Sequence, residues 1–375
     1  MREGQAWRNF DGVLVCAVAA LVAYGAAMLY SASYAGEVAF FWTMDSPVTR
    51  HLLYALVGLG LLVLVARLDY HVYSYWSPAI YLALLLLLGA VLVAGESIYG
   101  ARRWLDSPLI PIQPSELAKT GVIIVLAQYF AARQANIKSP RTTLGSLVLA
   151  GLPLALVFLQ PDLGSAMIFA AIWGGMALAA GTPLLHFAVL GSLAVATLPL
   201  AFTHLLKDYQ RDRLLLFLNP AQDPLGDGYN IIQSEISIGS GGLLGKGFLN
   251  GTQTQLHYLR IQKTDFIFSV IGEELGFVGA LLLFILFAVL IFRVLRSSSV
   301  APDSLGRLIA SGVAVALLFQ VFINIGVNIR LLPVTGIPLP FISAGGSSLM
   351  STMLALGVVQ SVAMRRKPRH RFESA

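Results

Sequence analysis

Residues 266–292 read FIFSVIGEELGFVGALLLFILFAVLIF, and no other stretch says more about the fold. From Phe277 to Phe292 the run holds no charged, amide or hydroxyl side chain. A helix needs about 20 apolar residues to cross the hydrocarbon core of a bilayer, so the run predicts a membrane span. Glu273 and Glu274 lie inside it and Asp265 stands at its threshold, so the same stretch opens the question of chemistry.

Comparable apolar runs occupy 12–33, 51–67, 75–95, 114–132, 144–160, 164–181, 184–206, 307–329 and 341–363. With 266–292 they predict an all-α polytopic membrane protein of about ten transmembrane helices. The composition agrees: 57% of residues are hydrophobic and 12% charged, against roughly 25% charged in soluble domains. One membrane domain over 1–375 is expected, with a long loop at 207–265 before the eighth helix. That loop carries Gly239, Gly241, Gly242, Gly245, Gly247 and Gly251, which suggests irregular or partly re-entrant backbone. The first run, with Ser31-Ala32-Ser33 at its end, resembles a signal peptide. It is longer than the usual h-region of about 7–15 residues, so a retained helix is expected.

The net charge of +6 belongs to topology rather than to nucleic acid. With the N-terminus inside, fourteen basic residues fall in inner segments, among them Arg8, Arg67, Arg141, Arg293, Arg296, Arg365 and Arg366. The short outer loops hold four: Arg50, Arg102, Arg103 and Arg330. Positive residues favour the cytoplasmic side, so both termini are expected there and the long loop outside. Cys16 is the sole cysteine, which excludes an intramolecular disulfide.

Charges in a span cost about 2.5–3.5 kcal/mol each on insertion scales, so each needs a reason. Glu116 and Lys119, in QPSELAK from Gln113, lie three apart and share one helix face. They are either a packing ion pair or part of a site. Asp265 meets water on one side and hydrocarbon on the other, which suits a general base and equally an N-cap. Asp162, after Gln160-Pro161, reads as a cap for the following helix or as a site residue. Glu273 and Glu274 read as structural. Arg50, Arg103 and Trp104 suit lipid phosphate and the bilayer interface. No P-loop, G-x-G-x-x-G, His-Glu-x-x-His or metal-ligand spacing is present. The topology gathers Arg50, Arg103, Glu116, Lys119, Asp162, Asp265 and the turn Ser343–Ser348 at the outer face. An outer cavity without ATP calls for a substrate that arrives activated, and a lipid-linked diphosphate sugar is one.

The same residues carry a likeness. Ala101-Arg102-Arg103-Trp104-Leu105, QPSELAK, Gln160 to Ser165, Gln233 to Gly251, Thr264-Asp265-Phe266-Ile267-Phe268, Glu273 to Phe277 and Asn324 to Ser348 resemble the SEDS family (shape, elongation, division and sporulation). Gly251 to Gln255 and Pro333 to Pro338 are similar to its elongation branch.

The resemblance implies a ten-helix glycosyltransferase of the bacterial cytoplasmic membrane that polymerises lipid II into peptidoglycan strands. It implies a class B penicillin-binding protein as partner, alongside other membrane proteins of the elongation complex. It makes Asp265 essential and links Glu116 and Lys119 to the same cavity. The outer-face placement adds the expectation that Arg50, Arg103, Trp104, Asp162, Thr264 and Ser343 meet substrate. A divalent cation, Mg or Mn, could share in neutralising diphosphate, although the sequence shows no dedicated cage. The competing expectations are a flippase for the lipid-linked precursor and a scaffold that activates the partner. Lys263 replaces a histidine and Arg330 a glycine usual in the family.

Overall fold

The computed structural model describes residues 7–34, 43, 45–98, 101–104, 112–200, 203–204, 208–220, 223, 227–259 and 261–366. The helices are α1 (Gly12–Ser33), α2 (Pro47–Arg67), α3 (Tyr70–Tyr75), α4 (Ser77–Ala94), α5 (Pro114–Ala132), α6 (Pro140–Leu159), α7 (Leu163–Ala180) and α8 (Leu184–Leu200). They continue as α9 (Asp208–Leu218), α10 (Asp227–Gly241), α11 (Thr252–Gln255), α12 (Ile267–Ser299), α13 (Ser304–Asn328) and α14 (Gly346–Met364). A short antiparallel hairpin, β1 (Glu96–Ile98) and β2 (Ala101–Trp104), follows α4.

Seven of these helices are long and apolar enough to cross a membrane: α1, α2, α6, α7, α12, α13 and α14. The apolar parts of α4 and α8, Ser77–Val93 and Leu184–Thr197, are shorter. The remaining expected span falls on α5, which carries Glu116 and Lys119. The chain is thus a polytopic all-α membrane protein.

α13 and α14 are the most enclosed of the seven. α14 packs along α2, and α13 packs on α12, α7 and α5. Large apolar side chains on outer helices, such as Leu56, Leu86 and Val93, stay exposed. That is the arrangement a lipid solvent favours, since lipid tails are as apolar as leucine.

The loop at 207–265 departs from the expected irregularity. It contains α9 and α10, and α10 packs against α12. Ile231, Ser234, Ser237 and Gly241 are buried on one face of α10 at helical spacing. Two of these are serines, so the stripe is muted in the sequence. Among the described residues of the loop, positive φ is confined to the segment after Gly241, where Gly242, Gly245 and Gly247 all have it. This segment lies against a break in α12 at Gly276, whose φ is 61° and ψ is −156°. A Cβ there would stand 2.3 Å from the backbone nitrogen of Gly245, so only glycine fits.

Polar contacts mark the two ends of the bundle. At one end Arg293 pairs with Asp11, Arg365 with Asp69, and His71 lies between Asp69 and Asp303. Asp265, Asp162 and Gln113 lie at the other end. Residues 277 and 293, on the unbroken part of α12, are separated by about 24 Å of helix at about 1.5 Å per residue.

Candidate active site

The site is assembled on α13. Gln320, Asn324 and Asn328 recur every fourth residue and are all buried. Their side chains therefore leave the helix on one face, one turn apart. Each donates its side-chain amide to backbone from another part of the chain.

Asn324 donates to the backbone carbonyl of Asp265 at 3.2 Å and to that of Ile337 at 2.8 Å. Asn328 donates to the Asp265 carbonyl at 2.8 Å, while its own oxygen accepts from the Ser269 amide and hydroxyl. The Asp265 backbone is thus held by two donors from one helix face, and its side chain remains half-buried. Thr264 and Lys263 are held by the segment before α14. The Ser343 hydroxyl donates to the Thr264 carbonyl at 2.6 Å, and the Ala344 amide donates to the Lys263 carbonyl at 2.8 Å.

Glu116 and Lys119 form an ion pair at 2.8 Å on the first turns of α5. Pro114 opens that helix, where a missing N–H costs nothing. The two residues are 2% and 6% exposed. Lys119 also donates to Gln320 at 3.2 Å, and Gln320 donates to the Pro338 carbonyl and the Ser348 hydroxyl. Gln320 and Asn324 thereby join the Glu116–Lys119 pair to Asp265 through a single turn of α13. None of these three polar residues was singled out from the sequence. Their four-residue spacing inside an apolar span was the available signal.

Asp162 is 2% exposed and caps α7, accepting from the amide and the hydroxyl of Ser165. Gln113 reaches it at 3.2 Å, and the Gln113 amide donates to Ser347. Of the two readings open for Asp162, the helix cap is the one these hydrogen bonds describe. Ser343 is likewise enclosed, and it positions loop backbone. Arg50 stands exposed on the first turn of α2, 3.2 Å from Asp45. Trp104 lies on β2 opposite Glu96, half-buried. Arg103 is on the same strand, and its side chain lies outside the described residues, as do Leu105, Arg260 and the tail from Lys367.

Glu273 and Glu274 are structural anchors. Glu273 accepts from Lys246, Thr252, Gln253 and Thr254, and Glu274 accepts from Ser31, Gln255 and the Leu249 amide. The loop leading to Asp265 is tied to α12 by these two carboxylates. Among the described residues no group of three or more His, Cys, Asp or Glu comes together as a metal cage.

The cell cycle protein family of FtsW, RodA and SpoVE matches residues 12–368. The peptidoglycan glycosyltransferase MrdB of Escherichia coli K12 is 39% identical over 359 residues, covering 96% of this chain and 95% of that protein. A probable peptidoglycan glycosyltransferase FtsW of Geobacter metallireducens is 38% identical over 363 residues, covering 96% of each. Among solved structures, a chain from work on the coordination of polymerization and crosslinking by a peptidoglycan synthase complex superposes with a TM-score of 0.79. It is 34% identical, and the match covers 94% of this chain and 97% of that one. The rod shape determining protein RodA of Thermus thermophilus gives a TM-score of 0.71 at 32% identity, covering 96% and 98%.

Proposed function

Because the chain belongs to the FtsW, RodA and SpoVE family, we propose that the half-buried carboxylate of Asp265 is the general base of its glycosyl transfer. The protein is a peptidoglycan glycosyltransferase of the bacterial cytoplasmic membrane that serves cell elongation. Its substrate in this reading is lipid II. The 4-hydroxyl oxygen of the acceptor sugar attacks the anomeric carbon of the donor. The bond from that carbon to the lipid diphosphate breaks, and the hydroxyl proton passes to Asp265. One displacement converts an α-linked donor into a β-linked strand and releases the lipid diphosphate.

The observation that carries this reading is the double clamp on Asp265 by Asn324 and Asn328. A general base has to be held within hydrogen-bond reach of the proton it takes, and it contributes typically about 10²–10⁴-fold. Two buried amides holding one backbone carbonyl serve that end. Lys119, with Arg103, supplies positive charge toward the leaving diphosphate, and Glu116 keeps Lys119 in place. A divalent cation would be held chiefly by the diphosphate oxygens with a protein carboxylate or two, as Mg often is, and would offset charge on the leaving group. The partner in this reading is a class B penicillin-binding protein that crosslinks the strands. Membrane proteins of the elongation complex complete the assembly. Both termini face the cytoplasm, which puts Asp265 at the outer face.

The test gives purified full-length protein fluorescent lipid II and digests the product with a muramidase. Polymer that returns to disaccharide units supports the transferase. Lipid carried across vesicle membranes without polymer would make the protein a flippase instead.

A further inference from the structure

The bundle end opposite Asp265 carries a concave site that glycosyl transfer does not use. Three elements converge there: the start of α1, the end of α12 and the end of α14. They enclose a cavity of about 180 Å³ lined by Asp11, Arg293, Arg296, Ser297 and Arg366. A single water needs only about 10–15 Å³, so the space takes a group larger than one water.

The charges in the cavity do not balance. Asp11 offers one carboxylate, and Arg293 takes it through both Nε and a terminal nitrogen. Arg366 donates to the neutral side-chain oxygen of Asn9 at 3.2 Å. Among the described residues the Arg296 guanidinium has no ion pair or hydrogen bond, and it is exposed at the cavity edge. Among the described residues, two of the three guanidinium charges have no counterion. Setting topology requires only that arginines lie on the inner side. It does not require three of them from two helices to face one hollow. Guanidinium groups match phosphate oxygens in charge and in planar geometry, and basic pockets between transmembrane helices on the cytoplasmic side suit phosphate head groups.

We propose that this pocket binds a phosphate group, with Arg296 and Arg366 as its principal donors and Arg293 held in place by Asp11. The phosphate comes either from the head group of an anionic lipid in the inner leaflet or from a soluble phosphate. The pocket and Asp265 lie at opposite ends of the bundle, so its occupancy and glycosyl transfer can fail separately.

The test uses the full chain in nanodiscs containing equal phosphatidylglycerol and phosphatidylcholine, followed by native mass spectrometry of retained lipid. A second arm titrates inorganic phosphate into detergent-purified protein and follows thermal stability. The wild type should retain phosphatidylglycerol over phosphatidylcholine by at least about tenfold, and the preference should vanish in Arg296→Gln/Arg366→Gln while glycosyl transfer persists. Arg141→Gln, a basic residue at the start of α6, should behave as wild type. Stabilisation by inorganic phosphate that the double variant loses would support the pocket and assign it to a soluble ligand. Arg296→Gln alone breaks no ion pair or side-chain hydrogen bond among the described residues and keeps the test available if the double variant misfolds. The proposal is overturned if the wild type retains both lipids equally and ignores phosphate, or if the variants keep the wild-type preference.

Discussion

Asn324 donates its side-chain amide to the backbone carbonyl of Asp265 at 3.2 Å, and one turn earlier on the same helix Gln320 accepts from Lys119 at 3.2 Å. A carboxylate at a helix threshold and a buried ion pair on a distant segment are thereby tied to one rigid element. Asn324→Ala removes one of the two clamps on Asp265 and leaves the Ile337 carbonyl without its donor. An unsatisfied buried acceptor costs about 1–3 kcal/mol, so the fold should survive with a lower melting temperature. Turnover should fall about 10–100-fold with little change in KM, because what is lost is the aim of the base. Steady-state kinetics beside a thermal melt checks both parts.

The Glu116–Lys119 pair makes a separate prediction. Breaking a buried pair from one side costs about 3–5 kcal/mol, whereas replacing both partners with apolar residues of similar volume is often neutral. Glu116→Gln and Lys119→Met should each lower the melting temperature sharply. Glu116→Leu/Lys119→Met should recover most of that stability and remain inactive. A double variant as active as wild type would reduce the pair to packing.

Arg330 sits at φ 55°, in the left-handed region. Glycine reaches that region without steric cost. A left-handed residue with a side chain costs roughly 1–2 kcal/mol, and the exposed contact with Glu235 at 3.4 Å returns little of it. Arg330→Gly should therefore be more stable than Arg330→Ala by about 1 kcal/mol, since both lose the ion pair and only glycine relieves the backbone. Paired melts in the same detergent decide it.

At the far end His71 lies 2.7 Å from Asp69 and 2.8 Å from Asp303, with Tyr70 on Asp303 and Arg365 on Asp69. Burial alone would push the imidazole down. Its hydrogen bonds to the two aspartates, and their charge, outweigh this and hold it above its ordinary value. A raised folded value stabilises the protein below the unfolded value of about 6.5 and is lost as pH climbs through the folded value. Thermal stability should thus decline as pH rises above that point, and His71→Gln should flatten the decline. The ring is more than half exposed, so the effect is small.

The spans were readable in the sequence because lipid imposes one rule on every residue facing it. Helix ends were less so, since hydropathy marks the bilayer and not the hydrogen-bonded ladder. α12 continues to Ser299 through Arg293 and Arg296, beyond the apolar run that ends at 292. α14 begins at Gly346 rather than at 341, because residues 339–345 are spent holding Thr264 and Lys263. Asp265, Glu116 and Lys119 were legible as charges that needed a reason. Gln320, Asn324 and Asn328 were not, because neutral amides in a span raise little alarm until their common face is seen. Asp162 read first as a cap and second as a site residue, and its hydrogen bonds to Ser165 show the cap.

The role of Asp265 is tested most directly by the rate of strand formation from lipid II with Asp265→Asn in the purified full-length protein. The amide keeps the shape and the backbone clamp and cannot take the proton. The expected result is a fall of about 10²–10⁴-fold in turnover with an unchanged melting temperature. Strands formed at the wild-type rate would contradict the assignment.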